Sequence, residues 1–297
     1  ANGFELWGTD GSNAGTARVI DLRPGVQGSG PASLTAYSAL AAFSATTSAA
    51  GTELFRTDGT SAGTSLVKDL VAGSGASFPS SFTTAGATLF FVATQDGIGR
   101  ELFVTDLTSA GTRVTANLAS GANDSSPADL TPLASSVVFR ADDGSGREPF
   151  VSDGTAAGTF RLGDLRAGAV GSMPRSLVSA GPRVFFFADD GVTGEELYAT
   201  DGTVAGTARV ADIGPGSAGC AGASMVALGS RVFFVADDGS HGPEVWVSDG
   251  TAAGTNLVID LSNPIGGDAS PAGLVPLPAV GKVLFAGHRP DVGRELF

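Results

Sequence analysis

Carboxylates at fixed spacing are the residues of this sequence best suited to chemistry. One aspartate recurs as Asp10, Asp58, Asp106, Asp153, Asp201 and Asp249, each time opening a Gly/Thr-rich turn. Acidic pairs follow at Asp142-Asp143, Asp189-Asp190 and Asp237-Asp238, with Glu148, Glu196 or Glu244 a few residues on. A third set, Asp21, Asp69, Asp164, Asp212 and Asp260, with Asn117 in the remaining copy, precedes Gly-rich loops. Clustered carboxylates supply the oxygen ligands that Ca²⁺ takes. Two carboxylates at the right separation perform glycoside hydrolysis. The third set would suit ligand pockets between repeats.

Structural roles compete with each of these. An Asp at a turn accepts the backbone N–H two residues on, and sixfold recurrence fits a turn better than a single catalytic centre. The acidic pairs match no known calcium loop, and Thr46-Thr47 stands in their place in one copy. They read as solvated hairpin turns, with calcium as the minor alternative. The third set reads as strand-terminating residues that cap a loop. His241 and His288 are the only histidines, too few for a zinc site or a Ser-His-Asp triad. Cys220 is the one cysteine, so there is no disulfide framework within the chain, and it is expected to be buried. The sequence therefore assigns no catalytic, cofactor-binding or metal-ligating residue and calls for no cofactor.

The elements that hold these residues come from an internal repeat. The segment Glu-Leu-aromatic-x-Thr/Ser-Asp-Gly-Thr-x-Ala-Gly-Thr starts at Glu5, Glu53, Glu101, Glu148, Glu196 and Glu244, and again at Glu295. Departures are few: Leu107 replaces the Gly, Pro149 and Val245 replace the Leu, and Asn13 alters one turn. Residues 175–210 show the unit. A half-polar run at 176–179 leads through Gly181-Pro182 into Val184-Phe185-Phe186-Phe187-Ala188, a run apolar enough to be covered on both faces. Asp189-Asp190-Gly191 then turns the chain into Glu196-Leu197-Tyr198-Ala199-Thr200, read as half-buried. The Asp201-Gly202-Thr203 turn leads to a last run at 207–212. Asp-Gly between apolar runs is a strong hairpin signal, and no segment keeps the spacing of an amphipathic helix.

Four short strands per period of about 48 residues describe a four-stranded antiparallel sheet. Such a sheet, covered on both faces, needs a like neighbour on each side, which radial repetition provides. The expectation is an all-β, single-domain β-propeller over 1–297, with six four-stranded blades. A solenoid fits less well, because its coils are shorter. The ring is expected to close through the N-terminus. The last blade would take its inner strands from 272–286 and its outer strand from 16–21, with either 4–9 or 294–297 as the third. A cut from a longer array is the other way to read that phase.

Composition narrows function by exclusion. The 297 residues carry a net charge of −13, and Lys68 and Lys282 are the only lysines. Nucleic acid needs a basic face to displace its counterions, so it is not an expected partner. No apolar run is long enough to insert in a bilayer, and Ala1-Asn2-Gly3 carries no signal-peptide pattern. High Gly with 18 Phe at fixed places in the period belongs to an ordered repeat rather than a linker.

Glu5-Leu6-Trp7-Gly8-Thr9-Asp10-Gly11 and Glu53-Leu54-Phe55-Arg56-Thr57-Asp58-Gly59-Thr60 resemble the ELWxxDGT repeat of large secreted or surface proteins of myxobacteria and similar bacteria. The resemblance covers essentially the whole chain. It implies an extracellular or cell-surface location and no enzyme activity. A looser similarity is to TolB-like propeller repeats, carried by Pro79, the run 89–93, Asp96-Gly97 and Glu101-Leu102-Phe103. That likeness implies six blades, with the run after Pro innermost and the run after Ala-Gly-Thr outermost. The expected function is a non-enzymatic interaction or structural module that meets protein or glycan at the cell surface, with self-association possible. The alternatives are a lectin with repeated inter-blade sites and a hydrolase with its site at a central channel. For the hydrolase, the last repeat, with its insertion at Pro276 to Pro278 and with His288, is the place to look.

Overall fold

The computed structural model describes residues 3–261, 269–289 and 293–297. Ala1 and Asn2, part of the N-terminal stretch considered above, lie outside the described residues. The chain is all-β: five four-stranded antiparallel sheets at 32–68, 80–114, 128–161, 175–209 and 223–259 follow one another. A two-stranded sheet at 6–20 precedes them and a three-stranded sheet at 272–296 follows. In every four-stranded sheet the strands lie in chain order, as in a propeller blade.

The 175–209 sheet shows how sequence makes the blade. Its strands are Arg175–Ala180, Arg183–Asp189, Glu195–Thr200 and Ala208–Arg209. Gly181, at φ 59°, and Pro182 form the two-residue turn between the first two. Such a turn needs a left-handed residue, which glycine adopts without steric cost. Phe186 faces Tyr198 and Phe187 faces Leu197 across the central pair. Val184 to Ala188 are wholly buried, as expected.

The third strand differs from expectation. It is also buried, including Glu196, because its polar groups find partners in the turn and loop that follow it. The fourth strand is reduced to two residues here. A short outer strand exposes little unpaired edge. The first strands of the sheets at 32–68, 80–114, 175–209, 223–259 and 272–296 take a register shift, as between Arg175 and Val178 or Ser80 and Thr83. The residue inside it sits at positive φ, as Ser81 and Ser176 do. This recurrent bulge bends and twists the strand.

Two compact units comprise the chain. The first holds residues 1–128 with the turns 142–144 and 152–159; the second holds 129–141, 145–151 and 160–297. Within each, consecutive sheets pack face to face. In the first unit Leu54, Val67 and Leu70 of one sheet meet Leu89, Phe91 and Phe103 of the next. In the second, Leu197, Val210 and Ile213 meet Val232 and Phe234. The Glu-Leu-aromatic motif thus has a direction. Its Leu faces the following sheet and its aromatic the preceding one, as Phe55 does beside Leu6.

The ends of the chain do not share a blade among the described pairings. Leu6–Gly8 pairs with Ala17–Ile20, and Gly293–Leu296 pairs with Lys282–Arg289, so both ends keep their own third strand. The insertion near Pro276 forms a single 3₁₀ turn, Pro278–Val280. That turn is a helical element the sequence did not announce.

Candidate functional site

The Asp-Gly-Thr turn is built alike in all six copies. In the 32–68 sheet, Asp58 Oδ1 accepts the Thr60 N–H at 2.8 Å and the Thr60 hydroxyl at 2.7 Å. Thr60 Oγ1 in turn accepts the Gly63 N–H at 3.0 Å. Thr57 and Thr64 hydroxyls meet at 2.7 Å across the mouth of the loop. The same bonds recur around Asp10, Asp106, Asp153, Asp201 and Asp249. These aspartates do what the sequence predicts of a turn residue. Hydrogen bonds from the Thr hydroxyl and N–H, or from those of Ser12 beside Asp10, hold their carboxyls below the ordinary value.

The turn also fixes two glycines. A Cβ on Gly63 would lie 2.1 Å from the Asp58 carboxylate, so the Ala-Gly-Thr glycine is a close-approach position. Gly59 has φ 88°, a conformation that suits glycine. Leu107 occupies the corresponding place in the next copy at φ 63°. Its side chain is buried in the cluster of Leu54, Val67 and Phe103, which offsets the backbone strain.

The glutamate that begins each motif was read from sequence as at most a neighbour of the acidic pairs. The structure gives it another role. Glu53 is buried, accepting the Ser77 N–H at 3.0 Å, the Ser77 hydroxyl at 2.6 Å and the Leu70 N–H at 3.1 Å. The Ser77 carbonyl then accepts the Thr94 N–H at the end of the next sheet's second strand, at 2.8 Å. One carboxylate therefore fastens the loop after its own blade, and through the Ser it ties that blade to the next.

Glu5 with Ser29, Glu101 with Ser125 and Glu148 with Ser172 repeat the arrangement, the hydroxyl of Ser125 approaching Glu101 closely. Glu196 accepts the N–H groups of Ile213 and Gly214 at 2.9 Å each, with Cys220 in the Ser place. Burial raises the carboxyls of Glu53, Glu101, Glu148 and Glu196, against the pull of these donors. A constant signal was available in the sequence: a Ser lies 24 residues after the Glu in four copies.

The acidic pairs build turns. Asp189 Oδ1 accepts the Gly191 N–H at 2.6 Å, while Oδ2 pairs with Arg166 at 2.6 Å. Asp190 accepts the N–H groups of Val192 and Thr193 at 2.8 and 2.7 Å. Asp238 accepts those of Ser240 and His241, and its Oδ2 lies 2.7 Å from His241 Nδ1. The Asp238 bond raises the His241 imidazole above its ordinary value.

The third set splits. Asp69 and Asn117 bond the Gly four residues on, at 3.3 and 3.0 Å, and so cap the loop. Asp21, Asp164 and Asp212 pair instead with an Arg three residues earlier. Cys220 is buried as expected, and burial pushes its thiol up. His288 is exposed on the last sheet's second strand.

Side chains that differ between copies meet in grooves between neighbouring sheets. In the first unit one groove of about 610 Å³ is lined by Tyr37, Leu40, Thr84, Ala87 and Asp106. The Tyr37 hydroxyl bridges it to the Ala87 carbonyl at 2.6 Å. In the second unit the same three turns enclose about 370 Å³ among Leu133, Ser136, Pro182, Asp201 and Gly202. The frame is constant, whereas the lining changes from aromatic to aliphatic.

No family model and no curated protein sequence matches the chain. Solved structures share its fold. One comes from a study of two prolyl endopeptidases and the role of inter-domain dynamics in their catalysis and specificity. It has a TM-score of 0.53 and 14% identity, covering 98% of this chain and 44% of that one. A puromycin hydrolase has a TM-score of 0.49 and 15% identity, with 93% and 45% covered. TolB from Acinetobacter baumannii has 0.40 and 15%, with 88% and 63% covered. The chain spans less than half the length of the first two. The likeness to the endopeptidase structure supports an all-β fold of propeller-like blades.

Proposed function

We propose that this chain is a non-enzymatic interaction module of the bacterial cell exterior, a propeller of six blades whose recurring motif is scaffold. The observation that carries this is the inter-blade groove: its frame recurs while Tyr37, Leu40 and Ala87 give way to Leu133, Ser136 and Pro182. The recurring carboxylates are engaged in turns and in the blade lock. That leaves the variable lining to discriminate a partner. The resemblance to the ELWxxDGT repeat supports placing the chain in a secreted or surface protein.

The repeated grooves also favour a more specific reading, a lectin that takes glycans between blades. An aromatic ring beside a hydroxyl group, as at Tyr37 and Thr84, fits a sugar face and its hydroxyls. A glycan array probed with the chain and with Tyr37→Ala tests both levels. Retention of defined glycans that Tyr37→Ala loses, at unchanged melting temperature, supports the lectin. Absence of glycan binding overturns it and leaves a protein-binding module. Sustained turnover of nitrophenyl esters, glycosides or peptide anilides would overturn the non-enzymatic reading itself.

A further inference from the structure

The groove at Tyr37 shares Tyr37, Ala87 and Asp106 with a smaller space of about 150 Å³, which Thr88 and Arg113 help to line. Both spaces lie within the first unit. Arg113 departs from the repeat. The residue in its register is Ala17, Ser65, Phe160, Ala208 or Asn256 in the other copies, so a cation stands at this place once. The Arg113 side chain is exposed and gives an N–H on Nη2 to the Gly154 carbonyl at 3.2 Å. A guanidinium carries five N–H donors in a planar fork that matches a carboxylate.

The rest of the lining has different chemistry. Tyr37 packs on the cluster of Leu89 and Phe91, and its hydroxyl bond to Ala87 fixes the ring. Ser38 and Thr84 set hydroxyls around the wider groove. Asp106 lines both spaces, with its Oδ1 engaged by the Thr108 N–H and hydroxyl. Its charge repels an anion, so a ligand's negative group is favoured only against the guanidinium itself.

We propose that this groove takes a glycan through a uronic acid residue, the sugar ring lying on Tyr37 and its carboxylate meeting the Arg113 guanidinium. The inference rests on the lectin reading of the groove and adds to it the charge of the sugar. Arg113 sets specificity, whereas Tyr37 supplies the contact that any sugar would use.

An array of uronate-bearing oligosaccharides printed beside their methyl esters tests this, because the ester keeps the sugar and removes the charge. The wild-type chain is expected to hold an acid about tenfold more tightly than its ester. Arg113→Gln should bring the acid down to the level of the ester, Arg113→Lys should keep part of the preference, and Tyr37→Ala should lose both ligands. Melting temperatures of the variants check that the fold is intact. Acid and ester held alike, or an acid preference that survives Arg113→Gln, overturns the inference while the lectin reading stands. Absence of binding to any glycan overturns both.

Discussion

Two carboxylates in the same hairpin, Glu53 and Asp58, have opposite surroundings. Asp58 is exposed and shapes its own turn from within. Glu53 is buried and reaches donors in the loop and linker that follow its blade. The aspartate is held below its ordinary value by its hydrogen bonds, and the glutamate is held above by burial. The difference teaches that one repeat motif solves two problems. The turn closes a strand pair locally, whereas the glutamate makes the blades cohere.

The contrast breaks most visibly at the buried end. Glu101→Ala strands the N–H groups of Ala119 and Ser125 and the Ser125 hydroxyl without water. Each unsatisfied buried group costs about 1–3 kcal/mol. A loss of roughly 3 kcal/mol or more is expected in urea unfolding, and a loss under 1 kcal/mol would show that the lock is dispensable.

Leu107→Gly comes next. It removes a buried side chain, which costs about 2–5 kcal/mol for Leu truncation. It also relieves a left-handed backbone worth about 1–3 kcal/mol. A net loss of about 1–2 kcal/mol is expected. A gain in stability would mean that strain, not packing, governs that position.

pH sharpens the same comparison. Raised glutamates contribute stability that is full below their ordinary 4.5 and fades as pH rises through their folded values. Lowered aspartates contribute stability present above their ordinary 3.8 and lost as pH falls through theirs. Urea midpoints should therefore peak in mildly acidic solution and decline on both sides. The net charge of −13 adds to the alkaline decline. A midpoint that climbs steadily to neutral pH would refute the assignment of the glutamates. The smallest effect is Asp201→Ala, in a turn whose Thr200–Thr207 hydroxyl bond at 2.7 Å remains. Its melting temperature should fall less than that of Glu101→Ala.

Much of this was legible in the sequence. The period, the apolar second strand and the turn aspartates follow from spacing and turn chemistry, because those interactions are local. The third strand was misjudged because Glu196 and Thr200 look like solvent residues. Both are buried, their partners Ile213, Gly214 and Thr207 lying beyond the strand. The Ser at 24 residues from the Glu carried the signal, but its meaning depends on a contact that only packing brings about. The bulge position is Ser33, Ser81, Ser176 and Ser224 in four copies and Asp129 and Gly273 in the others, but a Ser in a strand does not by itself announce positive φ. What varies at Tyr37 and Leu133 was visible as variation. Only the fold puts those residues at corresponding grooves.

We propose that the recurring carboxylates fasten the fold rather than hold calcium. Thermal unfolding in excess EDTA and in excess calcium chloride tests it most directly. Coincident curves are predicted, because the turn and lock oxygens already hold N–H and O–H donors. A melting temperature that falls on chelation and returns with calcium would contradict it.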